Sequence, residues 1–153
     1  MKIYRHYVVS EELIDNIGST DNKLYHVTKI DKAVSILKTD TFKPGPWKNL
    51  SMSTIENFNL NAQNACFVLS SNKLKKDFEL ISYDTNSGSD GVDSENEIRI
   101  QLNSDINQFS KYVEELRLKV SDKLFNMVLR HYSIKLEDIE ELCKLRGISL
   151  VKL

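Results

Sequence analysis

The sequence predicts an α+β fold: a mainly antiparallel or mixed β-sheet core with flanking helices. Three observations predict it. Strand-like segments outnumber helical ones along the 153 residues and mostly follow one another without a helix between, which argues against a doubly wound fold. Residues 95–102, Glu-Asn-Glu-Ile-Arg-Ile-Gln-Leu, alternate polar and apolar, the period of a half-buried strand. The length suits one domain over 1–153, large enough to bury a core without disulfides or metal.

Residues 2–9, rich in Tyr, Val and Ile, read as a strand. Ser10, Glu11 and Glu12 open a short helix that Gly18 stops. Leu24 to Val27 is a short strand. Thr28 and Asp31 then resemble a capping box for an amphipathic helix over 29–38, in which Ile30, Ala33, Val34 and Leu37 recur at helical spacing. Phe42 to Pro46 is punctuated by Pro and Gly and reads as irregular. Leu50 to Thr54 is a strand with alternating small polar residues, and the Asn-rich 55–64 a loop or short helical turn. Cys66 to Leu69 is a buried strand, 70–77 a polar helical piece, and 78–83 a strand.

Residues 84–94 carry two glycines among Ser, Asn and Asp and should form a mobile loop. In the strand that follows, Ile98, Ile100 and Leu102 face the core, with Glu95, Glu97 and Arg99 on the other side. Apolar alternation at 112–120 slips at Glu114-Glu115, and Leu116 to Val120 reads as strand. Ser121 begins one helix. A second carries Leu136, Ile139, Leu142, Cys143 and Leu145, acidic early and basic late, and ends at Gly147 before a closing strand at 148–153.

Composition narrows function. A net charge of −1 gives no general pull toward nucleic acid or membrane. Two cysteines make no disulfide framework, and both sit in apolar patterns that fit buried thiols. There is no apolar leader and no run long enough to span a bilayer, so a cytoplasmic chain without membrane attachment is expected. The three histidines have no metal-ligand spacing, and no phosphate-binding glycine loop or nucleophile elbow is present. No metal is expected.

What remains is a dispersed, ordered set: Leu24-Tyr25-His26-Val27-Thr28 before a helix ending Ile36-Leu37-Lys38, then Leu50-Ser51-Met52-Ser53-Thr54, then Ser94-Glu95-Asn96-Glu97-Ile98-Arg99-Ile100. Over about residues 23–120 this set resembles the ADP-ribosyltransferase-like proteins, and Phe67-Val68-Leu69 with Asn72-Lys73-Leu74 is similar to their small phage-encoded members. The resemblance implies NAD as substrate and an ADP-ribose acceptor that is a host protein or nucleic acid, in the host cytoplasm if phage-encoded. It implies catalytic roles for Glu97, beside the developing cation, and Glu95, which would assist or orient the acceptor. His26 and Thr28 lie in the cofactor-binding segment; Ser51 or Ser53 would brace the ribose and the glutamate, and Phe58 or Tyr83 would stack on nicotinamide. The same residues also fit plainer roles: His26 as a hydrogen-bonded residue at a strand end, the serines and glutamates as the polar side of their strands. A non-enzymatic binding or inhibitor module on this scaffold is the alternative.

Overall fold

The computed structural model describes residues 22–56, 63–83 and 97–153. The expected strand at 2–9, the helix after Ser10, the loop 84–94, and the side chains of Phe58 and Glu95 lie outside the described residues.

In chain order the elements are β1 (Lys23–Thr28), α1 (Ile30–Thr39), β2 (Thr41–Phe42), β3 (Asn49–Ser53), β4 (Ala65–Ser70), α2 (Ser71–Asp77), β5 (Ile81–Tyr83), β6 (Glu97–Gln101), β7 (Ile106–Asn107), a 3₁₀ turn (Phe109–Tyr112), β8 (Val113–Leu118), α3 (Phe125–His131), α4 (Leu136–Arg146) and β9 (Ser149–Lys152). Seven strands form one mixed sheet in the order β5-β6-β3-β1-β4-β8-β9, and β2 pairs with β7 in a separate ribbon. Among the described residues only β8–β9 is a parallel pair; its connection runs through α3 and α4, as a parallel pair requires. The α+β class is thus the one the sequence predicts.

The core lies on one face of this sheet. Leu24, Leu50, Met52, Phe67, Leu69, Ile98, Ile100, Leu116 and Leu118 join the inward sides of α1, α3 and α4 in one cluster. Within it Phe42 stacks on Phe109, ring centroids 5.4 Å apart, and Phe67 meets Phe109 edge-on at 5.7 Å. Arg146, at the end of α4, donates to the carbonyls of Leu37 and Lys38 at 2.7 and 2.8 Å, so one helix supplies partners for the open carbonyls ending another. Gly147 closes α4 in the left-handed conformation at φ 70°, the stop expected of it. Both cysteines are buried and free.

Several boundaries differ from expectation, each for a local reason. Lys29, not Thr28, caps α1, without a side-chain bond; Thr28 is buried as the last residue of β1. Phe42 belongs to a two-residue strand because Asn107 and Ile106 pair with Thr41 and Phe42. Asp40 fixes that corner: in the left-handed region at φ 52°, its carboxylate accepts from the Ser110 N–H and Oγ–H. β8 begins at Val113, earlier than Leu116. Val68 pairs with Glu115 but Leu69 with Val113, so Glu114 is the extra residue of a β-bulge, and the slip in alternation marks that bulge. Ser121 lies in a turn, and α3 starts only at Phe125.

Candidate functional site

Cross-strand register decides which side chains meet. In antiparallel pairs, residues directly opposite share a face. Tyr25 pairs with Ser53, and Ser53 with Glu97; Ser51 pairs with Arg99. On the other flank Tyr25 pairs with Val68, and Val68 with Glu115. One face of the sheet therefore carries Glu97 and Arg99, Ser51 and Ser53, Tyr25 and Val27, the buried Cys66 and Val68, and Glu115 and Arg117. It is the face opposite the apolar cluster.

Three of the residues singled out by sequence meet there. Ser51 Oγ–H donates to Glu97 Oε2 at 2.5 Å. Arg99 grips the same carboxylate from two residues along β6, Nε–H to Oε2 at 2.6 Å and Nη2 to Oε1 at 3.2 Å. Charge-assisted bonds of this kind are short and directional. Glu97 is 19 % exposed, so its carboxylate is held in place yet reachable. Ser53 sits directly between Tyr25 and Glu97, and its Oγ accepts the Ile55 N–H at 3.1 Å. β5 sets Tyr83 opposite Glu97 in the ladder.

His26 goes elsewhere. One residue past Tyr25, it alternates to the core face with Leu24 and Thr28, and its ring meets Phe42 edge-on at 5.4 Å. It still touches the site through the backbone. β1 and β3 share a single paired position, Tyr25 with Ser53, whereas β1 and β4 pair at six. Where a continued ladder would bring Ser51 against the β1 backbone, the Ser51 carbonyl instead accepts from His26 Nδ1 at 2.7 Å. A carbonyl can only accept, so Nδ1 carries the proton, and Nε2, buried and without a partner among the described residues, keeps its lone pair. Burial holds this imidazole neutral, lowering its pKa to about 4; the Ser51 bond opposes the shift and Lys32 adds to it.

Ser51 and Glu97 thus meet, whereas His26, expected in the same pocket, turns its ring to the opposite face of the sheet. Two further residues of this face carry no expectation from sequence. Tyr25 shares the face of Ser53 and Glu97, a position that alternation within Leu24–Thr28 could have indicated once His26 was assigned inward. Arg117 lies over the Tyr25 ring, 5.8 Å from its centroid, and pairs with Glu115 and with Glu56, which follows β3. This bridge ties the chain leaving Ser53 across β1 and β4 to β8. Beneath it Cys66 is fully buried, which pushes its thiol up to about 12 and leaves it inert as a nucleophile.

Among the described residues no group of three or more His, Cys, Asp or Glu could hold a metal, and no helix is long and apolar enough to cross a membrane. No protein-family model matches the chain, and no curated protein matches its sequence.

Proposed function

We propose that the chain is an ADP-ribosyltransferase-like enzyme that binds NAD and transfers its ADP-ribose to a host macromolecule, in the host cytoplasm if phage-encoded. The observation that carries the reading is the Ser51–Glu97 contact: two residues 46 apart in sequence, each assigned to the site from its own motif, form one 2.5 Å hydrogen bond on the polar face.

The chemistry follows from that carboxylate. Breaking the bond from ribose C1′ to the nicotinamide nitrogen sends the electron pair out with nicotinamide and leaves positive charge on the sugar. A fixed carboxylate beside C1′ stabilises that charge as it develops, at no cost of reorganisation. C1′ then bonds to an oxygen or nitrogen of the acceptor, whose proton goes to solvent or a nearby base. Ser51 keeps Glu97 aimed, and Ser53 and Tyr25 extend the floor beside it. Arg99 neutralises Glu97 while no ligand is bound; the diphosphate of NAD offers that guanidinium another partner. His26 serves this site from behind, as a positioning residue that fixes the Ser51 backbone. Glu95, and Phe58 or Tyr83, keep the roles the resemblance implies; Thr28, buried on the core face with His26, does not reach the cofactor.

The alternative, a non-enzymatic binding module, is favoured by two features: His26, expected in one pocket with Glu97, lies on the opposite face of the sheet, and the candidate catalytic carboxylate is engaged on both oxygens by its own neighbours. Calorimetry with NAD and an assay of nicotinamide release separate the two. Heat of binding with release supports the enzyme; a folded protein that neither binds nor consumes NAD supports the module.

A further inference from the structure

The chain has one tryptophan and two prolines, and all three fall within Pro44-Gly45-Pro46-Trp47. Trp47 is 83 % exposed, an unusual place for the residue with most to gain from burial. It is not on a loose loop. The Lys48 N–H donates to the Gly45 carbonyl at 2.9 Å, closing a β-turn with Pro46 at its second position and Trp47 at its third. Pro46 presets the backbone angle there. The exit of the turn is pinned as well: Leu102 N–H donates to the Lys48 carbonyl at 2.8 Å, tying it to the end of β6. The indole is thus presented on a backbone ordered before any partner arrives, which lowers the entropic cost of binding.

The charged residues next to it in the chain are of one sign. Lys43 and Lys48 flank the turn, both exposed, and neither forms an ion pair within the described residues. No acid occurs between Asp40 and Glu56, and both of those are engaged, Asp40 by Ser110 and Glu56 by Arg117. None of the other exposed large apolar side chains belongs to the turn. An aromatic hot spot for a protein partner sits in an apolar, water-excluding surround. A rigid indole with a lysine on either side, neither in an ion pair among the described residues, instead matches the pairing by which proteins hold single-stranded nucleic acid: the ring stacks on a base and the lysines meet phosphates.

We propose that the Pro46–Trp47 turn is a docking site for single-stranded nucleic acid. The turn leads straight into β3, and Ser51 lies four residues beyond Trp47, no more than about 13 Å even along a fully extended chain. The Ser51–Glu97 face is therefore within reach of a strand stacked on Trp47. Nucleic acid is then the acceptor class of the transfer reaction, a clause that rests on the function proposed above; the binding itself does not.

The experiment uses the full chain without NAD, so its result is independent of the transfer reading. Fluorescein-labelled 15-mers of deoxythymidine and of uridine, with a 15-base-pair duplex as control, are titrated while anisotropy and tryptophan emission are followed. Because Trp47 is the sole tryptophan, its emission reports this turn alone. The expected result is quenching on binding of the single strands, weaker binding of the duplex, and at least about a ten-fold loss of affinity in Trp47→Ala, with Trp47→Phe retaining most of it. Lys43→Gln combined with Lys48→Gln should lower the slope of log affinity against log salt by up to about 1.4. No binding by the wild-type protein, or binding that Trp47→Ala leaves unchanged, overturns the proposal.

Discussion

The two faces of the central sheet come from the same strands and are held by different physics. On one, Leu24, Met52, Phe67, Ile98 and Leu116 are buried among helices; each contact is weak, and the stabilisation lies in their number. On the other, Ser51, Glu97, Arg99, Arg117 and Glu56 make a few directed polar bonds on partly exposed ground. A single step along β1 crosses between them, from Tyr25 beside Ser53 to His26 against Phe42. What a substitution does should therefore depend first on the parity of its position: core-face changes should act on stability, and polar-face changes on chemistry.

The largest test of that division is Phe67→Ala. Phe67 is fully buried in β4, between β1 and β8, and packs edge-on against Phe109. Truncating it removes apolar contacts and leaves a cavity, which should cost about 3–5 kcal/mol. A urea midpoint that hardly moved would show that the cluster around Phe67 does not hold the sheet together.

Next in size is Glu97→Gln, on the polar face. It keeps shape and most hydrogen bonding but removes the charge, so nicotinamide release should fall by about 10²–10³. Stability should change by about 1 kcal/mol or less, since the pair with Arg99 is partly solvated. The protein should stay folded and still bind NAD. Unchanged turnover would remove the catalytic assignment; an unfolded protein would make Glu97 a structural residue and break the contrast between the faces.

Much of this division was legible in the sequence, and the part that was not has a definite cause. Alternation within Glu97-Ile98-Arg99-Ile100 gives the two sides of β6, and even predicts Arg99 as a same-side neighbour of Glu97. Parity between strands is another matter. It depends on register, which is set by pairing partners far away in sequence; sliding β1 one residue against β3 would exchange Tyr25 and His26. Nothing within Leu24–Thr28 states which side faces Ser51. The two-residue strands β2 and β7 were equally invisible, because Thr41–Phe42 is strand only by virtue of Ile106–Asn107.

His26 offers a test of intermediate size, through pH. Its pKa is lowered in the folded chain from 6.5 to about 4, so between those values the unfolded chain binds more protons than the folded one. Stability is then full above about pH 6.5, falls as pH drops toward 4, and levels off below, with a contribution of at most about 3 kcal/mol from this group. His26→Gln should flatten that part of the profile in urea unfolding at stepped pH. A profile identical to that of the wild type would mean that the ring is not sealed against protons.

The smallest effect should come from Ser51→Ala, and it separates the two faces most sharply, because Ser51 serves both. Its hydroxyl holds Glu97 on the polar face, while its carbonyl holds His26 on the core side. Alanine removes the first bond and leaves the second. One hydrogen bond to a partly exposed carboxylate is lost, and Arg99 still grips both oxygens, so stability should fall by only about 1 kcal/mol. Glu97 would then be pulled along β6 toward Arg99 alone, and nicotinamide release should slow by about ten-fold, less than for Glu97→Gln because the charge remains. Between pH 6.5 and 4 the stability profile should keep its wild-type shape, since the Nδ1–carbonyl bond is untouched. If Ser51→Ala flattened that profile, the hydroxyl and the carbonyl would be acting as one unit. The imidazole would then sense the carboxylate through the backbone between them, and His26 would belong to the chemistry of Glu97 after all.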